Sequence, residues 1–193
     1  MSNTWFTSDL HFFHNNVIAY CNRPYTSVEQ MNEMLVKNWN DLVQPQDTVY
    51  CLGDFSLALR PVELYTPRLN GYKILIAGNH DWVHPAHKKS KGDRGPQIIQ
   101  KYKDCGWNEI HTTLELDIDG KKVILCHLPY KGDSTDERYP KYRLEDEGKP
   151  VICGHVHQHW KTKITPKGTL MINVGVDVWD MKPVTLETIK SLL

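Results

Sequence analysis

The sequence has 193 residues, of which 40% are apolar and 24% charged, and its 23 Lys and Arg residues balance its 23 Asp and Glu residues. This length suits one domain, which we expect to span residues 1–193, and the apolar content suits a packed core rather than a disordered chain. The zero net charge excludes a global positive field that would concentrate duplex nucleic acid on the surface. Any contact with nucleic acid must therefore be local.

Membrane and disulfide-rich secreted proteins are two further classes that the sequence disfavours. The first residues lack a basic region followed by an apolar run, and no segment approaches the roughly 18 apolar residues of a membrane span. The five cysteines are odd in number and contain no C-x-x-C pair, which argues against a disulfide framework and against a thiolate zinc site. We expect a cytoplasmic protein without a membrane partner.

Six short apolar segments are too brief for helices and end in Gly, Asp, Asn or His. This pattern is typical of buried strands that carry polar residues at their carboxyl ends. The six predicted strands are residues 5–7, 48–52, 73–77, 122–126, 151–153 and 170–174.

Two segments between the first strands have helical features. Apolar residues recur with a period close to 3.6 over residues 27–42, with Ser27 at the capping position and Gln30 completing a capping box. Residues 61–69 form a shorter candidate that a proline in the first turn opens. The first half of the chain therefore alternates β-α-β-α-β.

The second half is mostly strands and turns, with a predicted hairpin between residues 114–118 and 122–126. We expect an α/β protein of the α+β sandwich kind, with two packed mixed β-sheets flanked by helices. The polar segments 82–95 and 130–149 have no clear period and predict long loops, which are often functional in a compact domain.

Polar residues with metal-binding potential follow the predicted strands. Because the carboxyl ends of strands in such sheets converge on one crevice, side chains far apart in sequence can meet there. Each piece is a weak signal alone, but their joint placement at strand ends argues for a common site. The pieces are Asp9-Leu10-His11, Gly53-Asp54, Gly78-Asn79-His80-Asp81, His127 and Gly154-His155-Val156-His157.

The order D-x-H, G-D, G-N-H-D, H and G-H-x-H resembles the calcineurin-like metallophosphoesterase superfamily, from about residue 7 to residue 180. Residues 9–14 and 173–179 are similar to compact, single-domain bacterial and phage members of that superfamily. The resemblance implies the superfamily's fold and a metal-dependent hydrolysis of phosphate esters, with a hydroxide that bridges two ions as the nucleophile.

The resemblance also implies which residues hold the two ions, with Asp54 shared between them. Carboxylates offset the charge of the ions, and imidazole nitrogens favour transition metals over Mg²⁺ or Ca²⁺. We expect two divalent transition-metal ions, with Mn²⁺ as the first choice and Fe, Ni, Co or Zn as alternatives. The implied ligands are Asp9, His11, Asp54 and His157 for the first ion, and Asp54, Asn79, His127 and His155 for the second.

Two residues of the G-N-H-D segment receive catalytic roles. The resemblance places His80 beside the leaving-group oxygen, where it would act as general acid or electrostatic stabiliser. Asp81 would either orient His80 or cap the following turn. We assign both residues to the catalytic set.

Four residues near the ligands are candidates for substrate contacts: His14, Arg23, Lys88 and Lys89. For His14 the alternative is a structural histidine, and for the lysines it is an ordinary solvated loop. The expected substrates are small phosphodiesters or phosphomonoesters, including nucleotides. The alternatives are nucleic-acid ends, which a nuclease or end phosphatase would attack, and a non-catalytic metal-binding scaffold of the same fold.

Overall fold

The computed structural model describes residues 2–92, 94–133 and 137–193. Its strands are β1 (Thr4–Thr7), β2 (Thr48–Cys51), β3 (Tyr72–Ile76), β4 (Glu109–His111), β5 (Thr113–Ile118), β6 (Lys121–Cys126), β7 (Val151–Cys153), β8 (Thr162–Ile164), β9 (Leu170–Asn173) and β10 (Val184–Thr185). Its α-helices are α1 (Asn15–Tyr20), α2 (Val28–Asn40), α3 (Leu59–Tyr65), α4 (Arg94–Asp104) and α5 (Leu186–Leu192). Short 3₁₀ helices lie at Thr66–Arg68, Lys88–Ser90, Pro140–Tyr142 and Val176–Val178.

The strands form two mixed sheets of five strands each. The first has the order β10-β1-β2-β3-β4, in which β1 to β4 are parallel and β10 is antiparallel to β1. The second has the order β5-β6-β7-β9-β8, with β6, β7 and β9 parallel and the outer strands antiparallel. The predicted two-sheet α/β sandwich is confirmed, as are the six predicted strands to within one residue at each end.

The two sheets pack face to face through a buried apolar layer. Ile74 and Ile76 of β3 meet Leu125 of β6 and Ile152 of β7 in this layer, all at 4% exposure or less. Because the middle strands are covered on both faces, their sequences are nearly continuous apolar runs, which is the pattern that predicted them. The layer fixes the distance between the sheets and thereby the width of the crevice at their ends.

Helices α2, α3 and α4 cover the outer face of the first sheet. Met31, Leu35 and Trp39 of α2 lie on its buried stripe and belong to the same core as Val49 of β2. The helix begins after Ser27, whose hydroxyl accepts from the backbone N–H of Gln30 as the capping prediction requires. The side chain of Gln30, however, accepts from Thr26 rather than from Ser27, so the capping box is only half formed.

Three of the described α-helices, α1, α4 and α5, were not predicted from the sequence. Helix α1 has only six residues, α4 begins within the segment 82–95 that predicted a loop, and α5 lies in the half expected to be strands. Helix α4 buries few side chains, Tyr102 among them, so its apolar signal is weak. In the part of the chain that the structure describes, no helix has the length and hydropathy needed to cross a membrane.

Candidate dinuclear metal centre

The polar residues after the strands meet where the two sheets come together. Asp9, Asp54 and Asn79 follow the parallel strands β1, β2 and β3 of the first sheet. An isolated bridge between Ser8 and Gly175 ties the end of β1 to the chain that leaves β9 in the second sheet. The crevice therefore lies at the carboxyl ends of strands from both sheets, as the sequence predicted.

The donor atoms form two neighbouring groups. In the first group, the Nε2 atoms of His11 and His157 lie 4.0 and 3.9 Å from Oδ1 of Asp9. In the second group, donor atoms of Asp54, His127 and His155 all lie within 4.8 Å of one another. Both groups are almost entirely buried, with His157 the most exposed member.

Asp54 lies between the two groups. Its Oδ2 atom is 3.3 Å from Nε2 of His127 in one direction and 3.7 Å from Nε2 of His11 in the other. Its Oδ1 atom accepts from the backbone N–H of His80 at 2.9 Å, which fixes the orientation of the carboxylate. This central position is the one that a bridging ligand would need.

The electrostatics of the crevice favour cations. Burial alone would lower the pKa of His127, but the Asp54 carboxylate raises it to about 9. Burial also opposes protonation of His157, yet Asp9 and Asp177 raise its pKa to about 11. The buried carboxylates therefore attract positive charge, whether it arrives as protons or as metal ions.

Several buried side-chain atoms of the predicted ligands lack a hydrogen-bond partner among the described residues. They are both ring nitrogens of His11, Nε2 of His127 and Oδ1 of Asn79. Buried polar atoms are nearly always paired, so four unpaired polar atoms in one crevice require an explanation. A mixed set of carboxylate, amide and imidazole donors is suited to divalent transition metals, and the residues present therefore fit the ions that the sequence resemblance implies.

The hydrogen bonds of His127 indicate which of its nitrogens is available. Its Nδ1 atom lies 2.6 Å from the carbonyl oxygen of Leu52. A carbonyl can only accept, so Nδ1 donates to Leu52, and Nε2 is the nitrogen that could bind a metal once the ion displaces the proton that Asp54 favours there. The same Nε2 atom is the unpartnered one that faces Asp54, so the two observations agree.

The backbone is strained at five of the seven predicted ligands, which have φ angles between 48° and 72°. Residues other than glycine seldom adopt this left-handed conformation, and each such residue costs on the order of 1–3 kcal/mol. Such strain is concentrated at functional sites in proteins. The five residues are Asp9, His11, Asp54, His155 and His157.

Glycines allow the ligand loops to approach one another closely. A Cβ atom on Gly78 would lie 2.3 Å from both the backbone nitrogen and Oδ1 of Asp54. A Cβ atom on Gly154 would lie 1.9 Å from Oγ of Ser8 and 2.6 Å from Oδ2 of Asp9. Any side chain at either position would displace a predicted ligand, which explains why glycine precedes the ligands here.

His80 and His14 lie beside the first group of donors. Nε2 of His80 is 4.0 Å from Oδ2 of Asp54, its ring centroid is 5.6 Å from that of His11, and its side chain is 40% exposed. The ring of His14 is 5.3 Å from that of His11, and burial lowers its pKa. Both histidines therefore lie next to predicted ligands, and both are only partly buried.

The catalytic role assigned to Asp81 has no support among the described contacts and stays a prediction. Its carboxylate is fully buried and accepts from the backbone N–H groups of Asp54, Phe55 and Gly78, at 2.9, 3.1 and 2.8 Å. None of the described hydrogen bonds joins it to His80. Asp81 instead holds the loop after β2 against the loop after β3, and this contact sets the position of Asp54.

The substrate contact assigned to Arg23 likewise has no support among the described contacts. Its side chain is completely buried and pairs with Asp177 through Nε at 2.7 Å and NH2 at 3.0 Å. Its remaining N–H groups donate to the backbone carbonyls of Asp9 and Leu10 at 2.6 and 2.9 Å. The guanidinium therefore holds the backbone of the loop that carries Asp9, and all its described hydrogen bonds go to buried groups.

Lys88 and Lys89 lie on a 3₁₀ helix away from the clustered donors. The Lys89 ammonium lies 5.0 Å from the centre of the Trp82 ring, and Trp82 follows Asp81 directly. Among the described contacts, none joins either lysine to a predicted ligand. Their role in substrate binding therefore stays a prediction.

Sequence reasoning missed two carboxylates that contact the ligand histidines. Asp177 lies 2.7 Å from Nδ1 of His157, and Asp133 lies 2.9 Å from Nε2 of His155. Both carboxylates are buried, at 1% and 0% exposure of their side chains. Asp177 stands in the segment 173–179 that carried the resemblance to compact relatives, which was a usable signal, whereas Asp133 stands in a polar segment without any motif.

The fold and its buried side chains together define a candidate site for divalent cations at the ends of two β-sheets. Residues 5–186 match the model of the calcineurin-like phosphoesterase superfamily domain. The chain therefore belongs to the calcineurin-like phosphoesterase superfamily. Membership supports phosphoester hydrolysis as the general activity and agrees with a dinuclear metal requirement, which is general in this family.

Similar proteins come from archaea, phages and bacteria. Uncharacterized protein MJ1445 of Methanocaldococcus jannaschii is 34% identical, over 100% of this chain and 92% of its own length. Gene 66 protein of Mycobacterium phage L5 is 35% identical, over 93% of this chain and 88% of its own length. The crystal structure of AQ665 from Aquifex aeolicus, a protein of unknown function, covers 100% of both chains at 27% identity with a TM-score of 0.69. These likenesses extend over nearly the whole chain.

Proposed function

We propose that the protein is a two-metal-dependent hydrolase of small phosphate esters, with nucleotide-like diesters and monoesters as its substrates. The observation that carries the proposal is the crevice of seven predicted ligands, in which Asp54 lies between two donor groups and several buried donors have no partner. A scaffold that had lost its chemistry would be expected to lack some of these donors.

The proposed division of ligands between two ions follows the two donor groups, and the resemblance adds Asn79 to the second. Asp9, His11 and His157 would hold the first ion, and Asn79, His127 and His155 the second, with Asp54 shared. When bound, the two ions would neutralise charge on the phosphate and supply an acidified water molecule as the nucleophile. The strained loops keep the donors in place before the ions arrive.

His80 is the group that would protonate the leaving oxygen. Its imidazole lies next to Asp54 without occupying a ligand position, and its side chain remains 40% exposed to the crevice. A proton held there would reach an alkoxide leaving group as its bond to phosphorus breaks. His14 lies on the same side, and we assign it a contact with the phosphate or the leaving group.

The substrate is expected to be small because the chain carries no excess of positive charge that would bind an extended polyanion. Lys88 and Lys89 would contact an additional phosphate of a nucleotide or the end of a single strand. Small phosphodiesters and phosphomonoesters therefore stand as the main proposal, and nucleic-acid ends as the second class.

The test is hydrolysis by the full chain after metal removal and reconstitution with Mn²⁺. Bis-p-nitrophenyl phosphate, p-nitrophenyl phosphate, a cyclic nucleotide and a short oligonucleotide are offered in parallel. We expect hydrolysis of at least one small ester, abolished by a chelator and by Asp54→Asn. Absence of hydrolysis with Mn, Fe, Co, Ni and Zn, together with fewer than one bound ion per chain, would instead support the scaffold alternative.

A further inference from the structure

Each of the two histidines in the segment Gly154-His155-Val156-His157 has its own buried carboxylate partner, and the two contacts use opposite ring nitrogens. Asp133 lies 2.9 Å from Nε2 of His155, whereas Asp177 lies 2.7 Å from Nδ1 of His157. Neither carboxylate belongs to the predicted ligand set. Both contacts come from parts of the chain that are distant in sequence from the histidines.

The chemistry of the partner decides which nitrogen carries the proton. An ionised carboxylate can only accept a hydrogen bond, so the nitrogen that faces it must be the protonated one. His155 is therefore protonated at Nε2 and His157 at Nδ1. A neutral imidazole has one proton, so the lone pair that can bind a metal lies on Nδ1 of His155 and on Nε2 of His157. His157 agrees with this assignment, since its Nε2 faces Asp9 at 3.9 Å.

An arginine close to His155 does not change this assignment. NH2 of Arg138 lies 3.3 Å from Nε2 of His155, but it also donates to Oδ1 of Asp133 at 2.9 Å. If Nε2 of His155 lacked a proton, its lone pair would face a carboxylate oxygen at 2.9 Å, which is repulsive. The shorter contact therefore requires the proton at Nε2, and Arg138 and His155 both donate to Asp133.

Arginines anchor both carboxylates. Arg23 holds Asp177 through two hydrogen bonds from a fully buried side chain. NH2 of Arg143, which is only 7% exposed, donates to Oδ2 of Asp133 at 2.6 Å. Each carboxylate is thus fixed in place by a charged hydrogen-bond partner, which is what an orienting residue requires.

We propose that Asp133 and Asp177 are positioning residues, each of which selects the metal-binding nitrogen of one histidine and thereby controls the affinity for one of the two ions. Asp177 acts on the ion that Asp9, His11 and His157 hold, and Asp133 acts on the ion that His155 helps to hold. The inference rests on the proposed dinuclear function. It also makes the segment after β6, which carries Asp133, part of the second metal site.

The first experiment needs no variant. Long-range ¹H–¹⁵N spectra of the full chain loaded with Zn²⁺, a diamagnetic ion, report for each histidine which nitrogen binds the metal and which carries a proton. We expect metal at Nδ1 and a proton at Nε2 for His155, and the reverse for His157. Metal bound through the same nitrogen in both histidines would overturn the inference.

The second experiment measures Mn²⁺ binding by calorimetry to Asp133→Asn and Asp177→Asn, each alone and combined with His155→Ala. Loss of such an outer partner typically weakens metal binding about 10–100-fold. We expect Asp133→Asn to weaken one ion in the wild-type background and to have no further effect once His155 is replaced. Asp177→Asn should keep its full effect in both backgrounds, which a general loss of stability would not produce.

Metal binding distinguishes a failure of the proposed function from a failure of the positioning roles of Asp133 and Asp177. If the wild-type chain binds neither Mn²⁺ nor Zn²⁺, the proposed function fails. If the wild-type chain binds both ions but Asp133→Asn and Asp177→Asn bind Mn²⁺ as tightly as the wild type, only the present inference fails.

Discussion

Replacement of Gly154 by alanine is a sharp test of how the first donor group is built. The added Cβ would lie 1.9 Å from Oγ and 2.7 Å from Cβ of Ser8, and 2.6 Å from Oδ2 of Asp9. A rotation of the Ser8 hydroxyl cannot relieve the contact between the two Cβ atoms, so the backbone must move. The movement pushes the Asp9 carboxylate away from the backbone N–H of His155, from which it accepts at 3.0 Å.

The expected loss of stability follows from two contributions. Overpacking of a tight contact costs about 1–3 kcal/mol. The hydrogen bond from Oγ of Ser8 to the carbonyl of Leu52, 2.8 Å long, is also broken, which adds about 1 kcal/mol. A total of about 2–4 kcal/mol corresponds to a decrease in Tm of about 10 °C for a chain of this size.

Thermal unfolding followed by circular dichroism measures this loss on the metal-free chain, and calorimetry measures Mn²⁺ binding. We expect Gly154→Ala to lower both Tm and the affinity for one ion. Gly168→Ala is the matched control, because a Cβ there meets no atom within 4 Å and only its φ of +85° is unfavourable. That control should lose about 1–2 kcal/mol of stability without any change in Mn²⁺ affinity. Unchanged Mn²⁺ binding by Gly154→Ala would refute the packing argument.

Three further predictions concern other residues of the site. His80→Asn should lower kcat about 10²–10⁴-fold for esters with alkoxide leaving groups. The decrease should be much smaller for p-nitrophenyl esters, because their leaving group needs no proton. The affinity for Mn²⁺ should not change. The double variant Lys88→Ala/Lys89→Ala should raise KM for a nucleotide more than for p-nitrophenyl phosphate, and equal effects on both would contradict a phosphate contact. Arg23→Met should cost about 3–5 kcal/mol in denaturant unfolding, since the buried carboxylate of Asp177 loses its guanidinium partner and keeps only His157. The exposed Arg68→Met should cost about 1 kcal/mol or less, and similar losses for the two arginines would show that burial is not the deciding factor.

The predicted ligands were readable from the sequence because each follows an apolar strand segment directly. The link between a strand and the residue at its end is local, and the sheets bring the strand ends together without any further signal. The same local rule does not give the orientation of Asp81, which adjoins His80 in the chain but turns its carboxylate toward backbone N–H groups of two loops. Adjacency in sequence gave no information about the direction of that side chain.

Arg23 shows the opposite limit. A cation in a polar segment near a ligand motif predicts a surface contact, but its partner Asp177 lies 154 residues away in the chain. The contacts of His155 and His157 with their carboxylate partners were missed for the same reason, since the partners are 22 and 20 residues distant without a fixed spacing. The resemblance of segment 173–179 marked Asp177 but did not indicate which residue it contacts. Such pairings depend on how the two sheets pack, and no local period or motif records them.

The strained ligands explain why the crevice can be both well formed and dependent on cations. At Asp9, His11 and Asp54 the backbone adopts φ angles of 58°, 53° and 51°, which local preferences oppose. The surrounding core and the hydrogen bonds of the loops hold these angles, so the donors converge on buried negative charge before any ion binds. Bound cations would offset the repulsion between the carboxylates of Asp9 and Asp54, and the chain should therefore unfold at a higher temperature with Mn²⁺ than without it.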